Sequence, residues 1–127
     1  MDTYLPPNRF LAIRSIASPK DTNVSGDIAA GWLVAQMDLA GNSTACSRSH
    51  GRVTTVSIET LSFHQPVYVG DEISIYTEVQ RMGKTSMHIK IDVWAKRNDS
   101  EDSVQVTEGI LVYVAIDKDY SPRQIHH

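Results

Sequence analysis

The sequence has little cysteine, no long apolar run and no excess of basic residues, and each shortage excludes a class of protein. Among 127 residues there is one cysteine, so an intrachain disulfide and a multi-cysteine zinc site are both excluded. No stretch approaches the roughly 20 apolar residues of a transmembrane helix, so no membrane partner is expected. A net charge of −3 argues against nucleic acid as a partner, because binding its phosphates needs a concentrated basic face.

Several catalytic and ligand-binding motifs are also missing. No His-Glu-x-x-His, Gly-x-Ser-x-Gly or glycine-rich phosphate loop occurs. His50 and His64 have no partner at zinc-ligand spacing, which favours ordinary structural histidines over bases and predicts no metal site. The terminal His126-His127, native or a tag remnant, does not change this. Cys46 has apolar helical neighbours, which favour a buried, inert thiol.

The beginning of the chain has no pattern of a secretory signal. Residues 1–7 include no basic segment followed by a long apolar one. We therefore expect a cytoplasmic protein.

The order of predicted elements is one strand, one long helix and four further strands. Phe10 to Ala17 is predicted as a strand, and a polar loop follows. A helix is predicted from Ile28 to Arg48, with Asp27 as its cap and Gly51 as its stop signal. It is apolar over much of its circumference, which indicates that other structure surrounds it. Four period-two runs of apolar or β-branched residues predict the later strands: Val56, Ile58, Thr60; Ile73, Ile75, Thr77, Val79; Met87, Ile89, Ile91, Val93, Ala95; Ile110, Val112, Val114, Ile116.

These elements predict one α+β domain over residues 1–127. Short breaks at 69–71, 82–84 and 98–100 separate the four later strands, so neighbouring strands are expected to pair antiparallel. One sheet and one apolar helix pack best when the antiparallel sheet wraps around the helix. The long edge left over would be covered by pairing with a second copy.

Three positions around the helix are candidates for chemistry. Asp38 stands mid-helix between Met37 and Leu39; a buried carboxylate there needs partners or a role, and the alternative is a solvent-facing position. Asn23 precedes the helix, either as an ordinary turn residue or to position water or a carbonyl. Gly31 lies in the first turn, where free N–H groups point toward an anion, although every helix has such an end.

Basic side chains form a second candidate set, on and beside the strand from Thr85 to Arg97. Arg81, Lys84 and Lys96 either belong to a solvated sheet face or contact phosphate groups. The sequence leaves both interpretations open.

Motifs of one known family cover nearly the whole chain, from about Leu11 to Val114. They are Asp21-Thr22-Asn23-Val24-Ser25-Gly26-Asp27-Ile28, Gly31-Trp32, Gln36-Met37-Asp38, His50-Gly51-Arg52-Val53-Thr54-Thr55-Val56 with Glu59, Phe63-x-x-Pro66-Val67-x-Val69-Gly70-Asp71, Gly83-Lys84-Thr85-Ser86 and Val93-Trp94-x-Lys96. In this order and spacing the chain resembles the hotdog-fold acyl-CoA thioesterases, specifically the bacterial YciA-like group.

The resemblance implies an enzyme that hydrolyses acyl-CoA to a carboxylic acid and CoA, without a separate cofactor. It implies a dimer that joins two sheets, and a hexamer built as a trimer of dimers. Asp38 matches the family's catalytic aspartate, which acts as general base or as nucleophile. Asn23 matches an asparagine from the facing subunit that helps to place the attacking water. Gly31 matches the backbone donor to the thioester carbonyl.

The resemblance also implies that CoA binds at the turn formed by Gly83, Lys84, Thr85 and Ser86, with nearby basic residues such as Arg81 and Lys96. One departure concerns Ala29-Ala30-Gly31, because the family usually has Gly-Gly before the tryptophan. Alanine keeps its N–H, so this change bears on the acyl group accepted more than on the reaction.

Two alternatives stay open from the sequence. A non-catalytic acyl-CoA sensor would bind the same ligand, although no helix pair for DNA binding precedes the domain. A hotdog hydratase or dehydratase would need a histidine paired with an acid, and His50 or His64 would have to supply it.

Overall fold

A computed structural model describes residues 9–126 as one long helix packed on a sheet of five strands. Expectations about residues 1–7 and about His127 lie outside the described residues. In chain order the elements are strand β1 (Phe10–Ile16), a short 3-10 turn (Pro19–Asp21), helix α1 (Ala30–Ser49), and strands β2 (Val53–Phe63), β3 (Glu72–Met82), β4 (Ser86–Lys96) and β5 (Ser103–Ala115). No helix among residues 9–126 is long and apolar enough to cross a membrane.

The five strands form one antiparallel sheet in the order β1-β3-β4-β5-β2. This confirms the predicted antiparallel sheet but corrects the expectation that β2 and β3 are neighbours. They are at opposite sides of the sheet, β2 paired with β5 and β3 with β1. The break at residues 69–71 is therefore the end of a crossover and not a hairpin.

Hydrogen bonds and one partly buried ion pair hold the crossover at the end of β1. The N–H of Gly70 donates to Ala17 O at 2.9 Å, and the N–H of Ala17 donates to Asp71 O at 3.0 Å. The buried carboxylate of Asp71 accepts the guanidinium of Arg97 at 2.8 Å and the N–H of Tyr68 at 2.9 Å. These bonds fix the path that separates β2 from β3, which a turn motif alone does not specify.

The core lies between α1 and one face of the sheet, and the helix contacts every strand. The predicted core positions of β3 and β4 are correct, with Ile73, Ile75, Ile89 and Ile91 all fully buried. In strand β5 the predicted phase is wrong, and the alternate set of residues faces the helix. Leu111, Tyr113 and Ala115 belong to the core cluster. The residues that set its period-two pattern, Ile110, Val112, Val114 and Ile116, do not.

Helix α1 begins later than predicted, and its cap is Ala29 instead of Asp27. Residues before it are held in extended backbone, because Ile28 donates its N–H to Val67 O at 3.1 Å and Asp27 O accepts from the N–H of Asn23 at 2.7 Å. At the other end His50 adopts a left-handed conformation, with φ 59°, one residue before the predicted stop at Gly51.

Strand β2 forms an open edge of the sheet and carries apolar side chains that the subunit does not cover. Val56, Ile58 and Phe63 are 54%, 46% and 49% exposed, and Leu39 on the adjacent helix is 59% exposed. An open edge with apolar side chains favours pairing with another chain.

The face of the sheet away from the helix carries a chain of paired charges. Arg9 contacts Asp92 at 2.8 Å, and Lys90 contacts both Asp92 at 3.8 Å and Glu108 at 3.1 Å. Burial raises the pKa of Asp92 above its ordinary value, and the charges of Arg9 and Lys90 oppose the rise. Lys90 is therefore committed to internal pairing, which excludes a fully solvated face.

Candidate active site

Asp38 lies near the middle of α1, half-buried, against the open edge of the sheet. Its carboxylate oxygen Oδ1 accepts the hydroxyl of Thr55 on β2 at 2.6 Å and the hydroxyl of Tyr113 on β5 at 3.0 Å. Those two residues stand opposite each other in the β2–β5 register. The carboxylate is therefore oriented by two donors, which supply the partners that a half-buried charge needs.

Tyr113 is the largest fully buried side chain of the core. Burial, and next the negative charge of Asp38, raise the pKa of Tyr113 above its ordinary value. The phenol therefore keeps its proton at any pH where the protein works, and it remains a donor to Asp38.

Gly41 provides the space that this phenol needs. A Cβ placed at Gly41 would come within 2.2 Å of the Tyr113 hydroxyl oxygen and 2.8 Å of Ile91 Cδ1. The helix-propensity cost of this glycine, about 1 kcal/mol relative to alanine, is therefore explained by close packing.

The first turn of α1 has unpaired donors. Ala29 O accepts the N–H groups of Trp32 and Leu33, at 3.1 and 3.3 Å, whereas those of Ala30 and Gly31 donate to no acceptor within residues 9–126. No atom lies within 4 Å of a Cβ placed on Gly31, so the space beside it is open. Free N–H groups at a helix N-terminus suit a developing oxyanion.

Asn23 lies beside this turn. Together with Ala30, Leu33 and Phe63 it lines a groove of about 400 Å³ between the loop, the start of α1 and the end of β2. Its Oδ1 accepts the N–H groups of Ser25 at 2.8 Å and Asp27 at 3.3 Å. The loop thus occupies the side-chain carbonyl oxygen of Asn23, and the side-chain amide nitrogen of Asn23 remains available to other partners.

A single subunit does not bring all three predicted site residues together. Gly31 and Asp38 are seven positions apart, which is about 10 Å along a helix, although both lie on nearly the same side of it. A thioester carbonyl bound to Gly31 would be out of reach of Asp38 on the same helix. The groove at Asn23 likewise does not include Asp38.

The turn from Gly83 to Ser86 connects β3 and β4, and its backbone is well ordered by hydrogen bonds. Gly83 donates its N–H to Ser86 O at 2.8 Å, while Lys84 O and Thr85 O accept from Ile125 and Ala115 at 2.7 and 2.8 Å. The turn and the C-terminal segment line a groove of about 590 Å³. Lys84 is exposed there, so a cationic side chain is available to a ligand.

The other predicted phosphate-binding residues are placed differently. The guanidinium of Arg81 lies 2.8 Å from Nε2 of His88, whose Nδ1 contacts Glu59 at 3.1 Å, so Arg81 is already engaged in a polar cluster. Lys96 is the last residue of β4, about 34 Å along the strand from Ser86. Within one subunit Lys96 is therefore far from the Gly83–Ser86 turn. The role of Lys96 in CoA binding stays a prediction.

Two other side chains have surroundings that the sequence did not specify. His64 has a carboxylate partner, Glu108 at 2.8 Å, and this bond and the one from Lys90 lower the pKa of Glu108. Cys46 is partly exposed, not buried, and its thiol donates to Asn42 Oδ1 at 3.4 Å. Within residues 9–126 no three His, Cys, Asp or Glu side chains are grouped to hold a metal ion.

The sequence alone does not identify the two donors that hold Asp38. Thr55 lies inside a motif of the family without an implied role, and Tyr113 belongs to none of the candidate sets. The available signal was its hydroxyl within an otherwise apolar strand, because a buried tyrosine normally has a hydrogen-bond partner.

The chain is similar to known proteins over most of its length. The family model of the thioesterase superfamily matches residues 25–101. The acyl-CoA thioester hydrolase YciA of Salmonella typhimurium is 43% identical, over 94% of this chain and 92% of that protein. The hexameric thioesterase of Yersinia pestis is 39% identical with a TM-score of 0.91, over 97% of this chain and 99% of that one. A hexameric hotdog fold thioesterase of Campylobacter jejuni is 36% identical with a TM-score of 0.87, over 91% and 90% of the two chains.

A helix on a five-stranded antiparallel sheet, with this degree of likeness to solved hotdog structures, confirms the predicted fold. The chain belongs to the thioesterase superfamily and, within it, to the YciA-like group.

Proposed function

We propose that this protein hydrolyses acyl-CoA thioesters to a carboxylic acid and CoA. The observation that carries the proposal is a carboxylate, Asp38, held by two donors at an open sheet edge, in a chain that also presents free N–H groups at the start of the same helix. Relatives with 42–43% identity over nearly the full chain are named acyl-CoA thioester hydrolases.

The chemistry needs a base or nucleophile and a site for the oxyanion. In the proposed reaction the Gly31 N–H donates to the thioester carbonyl oxygen while Asp38 takes a proton from water. The water oxygen bonds to the carbonyl carbon, the C–S bond breaks, and the electron pair leaves on sulfur as CoA thiolate. A thiol pKa near about 8.5 makes this leaving group adequate with little protonation. Direct attack by Asp38 would use the same groups.

The site is proposed to form between two subunits. The separation of about 10 Å between Gly31 and Asp38 on one helix prevents both from contacting the same carbonyl. Thr55 binds Asp38 on the open edge strand β2, so a copy that pairs with β2 would approach Asp38 directly. Asn23 and Gly31 of one subunit would then face Asp38 of the other.

Apolar exposure supports the same edge as the dimer interface. Val56, Ile58, Phe63 and Leu39 all lie at or beside β2 and are exposed in the single subunit. Similar proteins from Yersinia pestis and Campylobacter jejuni are described as hexameric. We propose a dimer through β2 and a trimer of such dimers.

Co-expression of two inactive variants tests the shared site. Asn23→Ala and Asp38→Asn co-assembled at random should recover about one quarter of wild-type activity, because half the dimers are mixed and each contains one intact site. The measurement is thiol release by the co-purified assembly, with the separately purified variants mixed in the cold as the control. Activity no higher than in that control would show that Asn23 and Asp38 act within one subunit.

The reaction itself is tested by thiol release from a panel of acyl-CoA substrates, short, long and aromatic. We expect thiol release from at least one member, and the ranking would show what Ala29 and Ala30 do to the acyl pocket. Tight acyl-CoA binding without thiol release would favour the sensor, and an enoyl- or hydroxyacyl-CoA product would favour a hydratase.

Two smaller proposals accompany this one. CoA is expected to bind in the groove beside the Gly83–Ser86 turn, where Lys84 is exposed. A cytoplasmic location is also proposed, and a chain whose single cysteine cannot form an intrachain disulfide is compatible with a reducing compartment.

A further inference from the structure

The two carboxylate oxygens of Asp38 differ in their hydrogen-bond partners. Both donors, Thr55 and Tyr113, bind Oδ1, and no residue among 9–126 donates to Oδ2. We propose that Tyr113 is a positioning residue that holds Oδ1 and the adjacent helix carbonyl, so that Oδ2 is the oxygen presented to the reacting groups. This inference rests on the proposed thioesterase function.

The phenol binds the helix at two points. Its hydroxyl lies 3.0 Å from Asp38 Oδ1 and 3.1 Å from the backbone carbonyl oxygen of the same residue. A single O–H shared between two acceptors of one residue restrains both the backbone and the side chain of that residue. Thr55 restrains only the side chain, so Tyr113 has the larger effect on orientation.

The phenol is rigid and stays protonated. Tyr113 has no exposed surface, and its ring belongs to the core cluster, so its own position is set by close packing. Burial and the nearby charge of Asp38 keep it a neutral donor. Gly41 admits the hydroxyl, since any Cβ there would meet it at 2.2 Å. The hydroxyl of Tyr113 is thus a polar group inside the core, and its partners among residues 9–126 are Asp38 and the neighbouring Thr55.

A donor to a carboxylate favours its charged form, so removing the donor favours protonation. In Tyr113→Phe we expect kcat to fall about 10-fold or more, the size of one hydrogen bond to a charged group. KM should change little, because Tyr113 does not contact the substrate. The acid side of the kcat/KM pH profile should move to higher pH, and this is the effect that a purely structural role would not produce.

Tyr76→Phe is the matched control. Tyr76 is also buried, on the face of the sheet away from Asp38, so its variant should keep the wild-type kcat and pH profile. If Tyr113→Phe does not fold well, Thr55→Val removes the other donor to the same Oδ1 and should move the profile in the same direction. When Tyr113→Phe and Thr55→Val are combined, their effects on the pH profile should be non-additive, because both groups bind one oxygen.

The outcomes distinguish failure of the proposed thioesterase function from failure of the positioning role of Tyr113. Absence of thiol release by the wild-type protein would refute the proposed function. Wild-type turnover with an unchanged profile in Tyr113→Phe, or a lower kcat with the profile unmoved, would overturn the positioning role alone.

Discussion

Asp38→Asn should lose most turnover while the protein remains folded and oligomeric. Asparagine has nearly the same size and can still accept the hydroxyls of Thr55 and Tyr113 at its carbonyl oxygen, so the packing around it is preserved. The amide can neither accept a proton from water nor attack a carbonyl carbon. General acid–base catalysis contributes about 100- to 10,000-fold, and we expect a loss of that size in kcat.

The measurement is steady-state thiol release, with chromatography and thermal unfolding as checks of assembly and stability. Asp99→Asn is the matched control, because Asp99 is exposed in the turn between β4 and β5 and should be dispensable. An Asp38→Asn protein with wild-type kcat would remove Asp38 from the mechanism. A variant that fails to assemble would instead assign the carboxylate a structural role.

Gly31→Pro should lower kcat about 100- to 1,000-fold, the usual effect of removing one oxyanion donor. Proline has no N–H, and the N–H of Gly31 makes no bond within the described part of the chain. The substitution therefore breaks no helical hydrogen bond, and proline is tolerated in a first turn. The change removes the proposed donor and leaves the carboxylate of Asp38 untouched.

Gly31→Ala is the control for added bulk, because it keeps the N–H and its Cβ would meet no atom within 4 Å in the subunit. Thiol release by the two variants should differ by at least about 10-fold if the N–H is the functional group. Equal losses in both would indicate that close approach of the ligand matters and not the donor. Equal and wild-type rates would place the oxyanion elsewhere, with the N–H of Ala30 as the next candidate.

Helix α1 carries two groups that the proposed reaction needs. Its first turn has free N–H donors and its middle has a carboxylate about 10 Å away, so in the proposed reaction one helix contributes to two sites, each completed by a second subunit. Under this proposal a chain of 127 residues, with a small core, would need a second copy to act. The exposed apolar residues of β2 would then form the proposed interface beside Asp38.

The sequence by itself determined the class of fold, the family and the candidate residues of the helix. Periodicity identified the four later strands, and the apolar circumference of residues 28–48 identified the helix, because such patterns are local properties of the chain. The motif order around Asn23, Gly31 and Asp38 was sufficient for the family, which the comparisons confirm.

Only the tertiary structure decided the strand order, the phase of β5 and the partners of Asp38. Residues 69–71 have the composition of a hairpin turn, and contacts with Ala17 and Arg97 make them the end of a crossover. Tyr113 follows Asp38 by 75 positions, and only the pairing of β5 with β2 and the small size of Gly41 bring its hydroxyl to the carboxylate. Local patterns carry no information about which distant side chains meet, since long-range contacts depend on the packing of the whole chain.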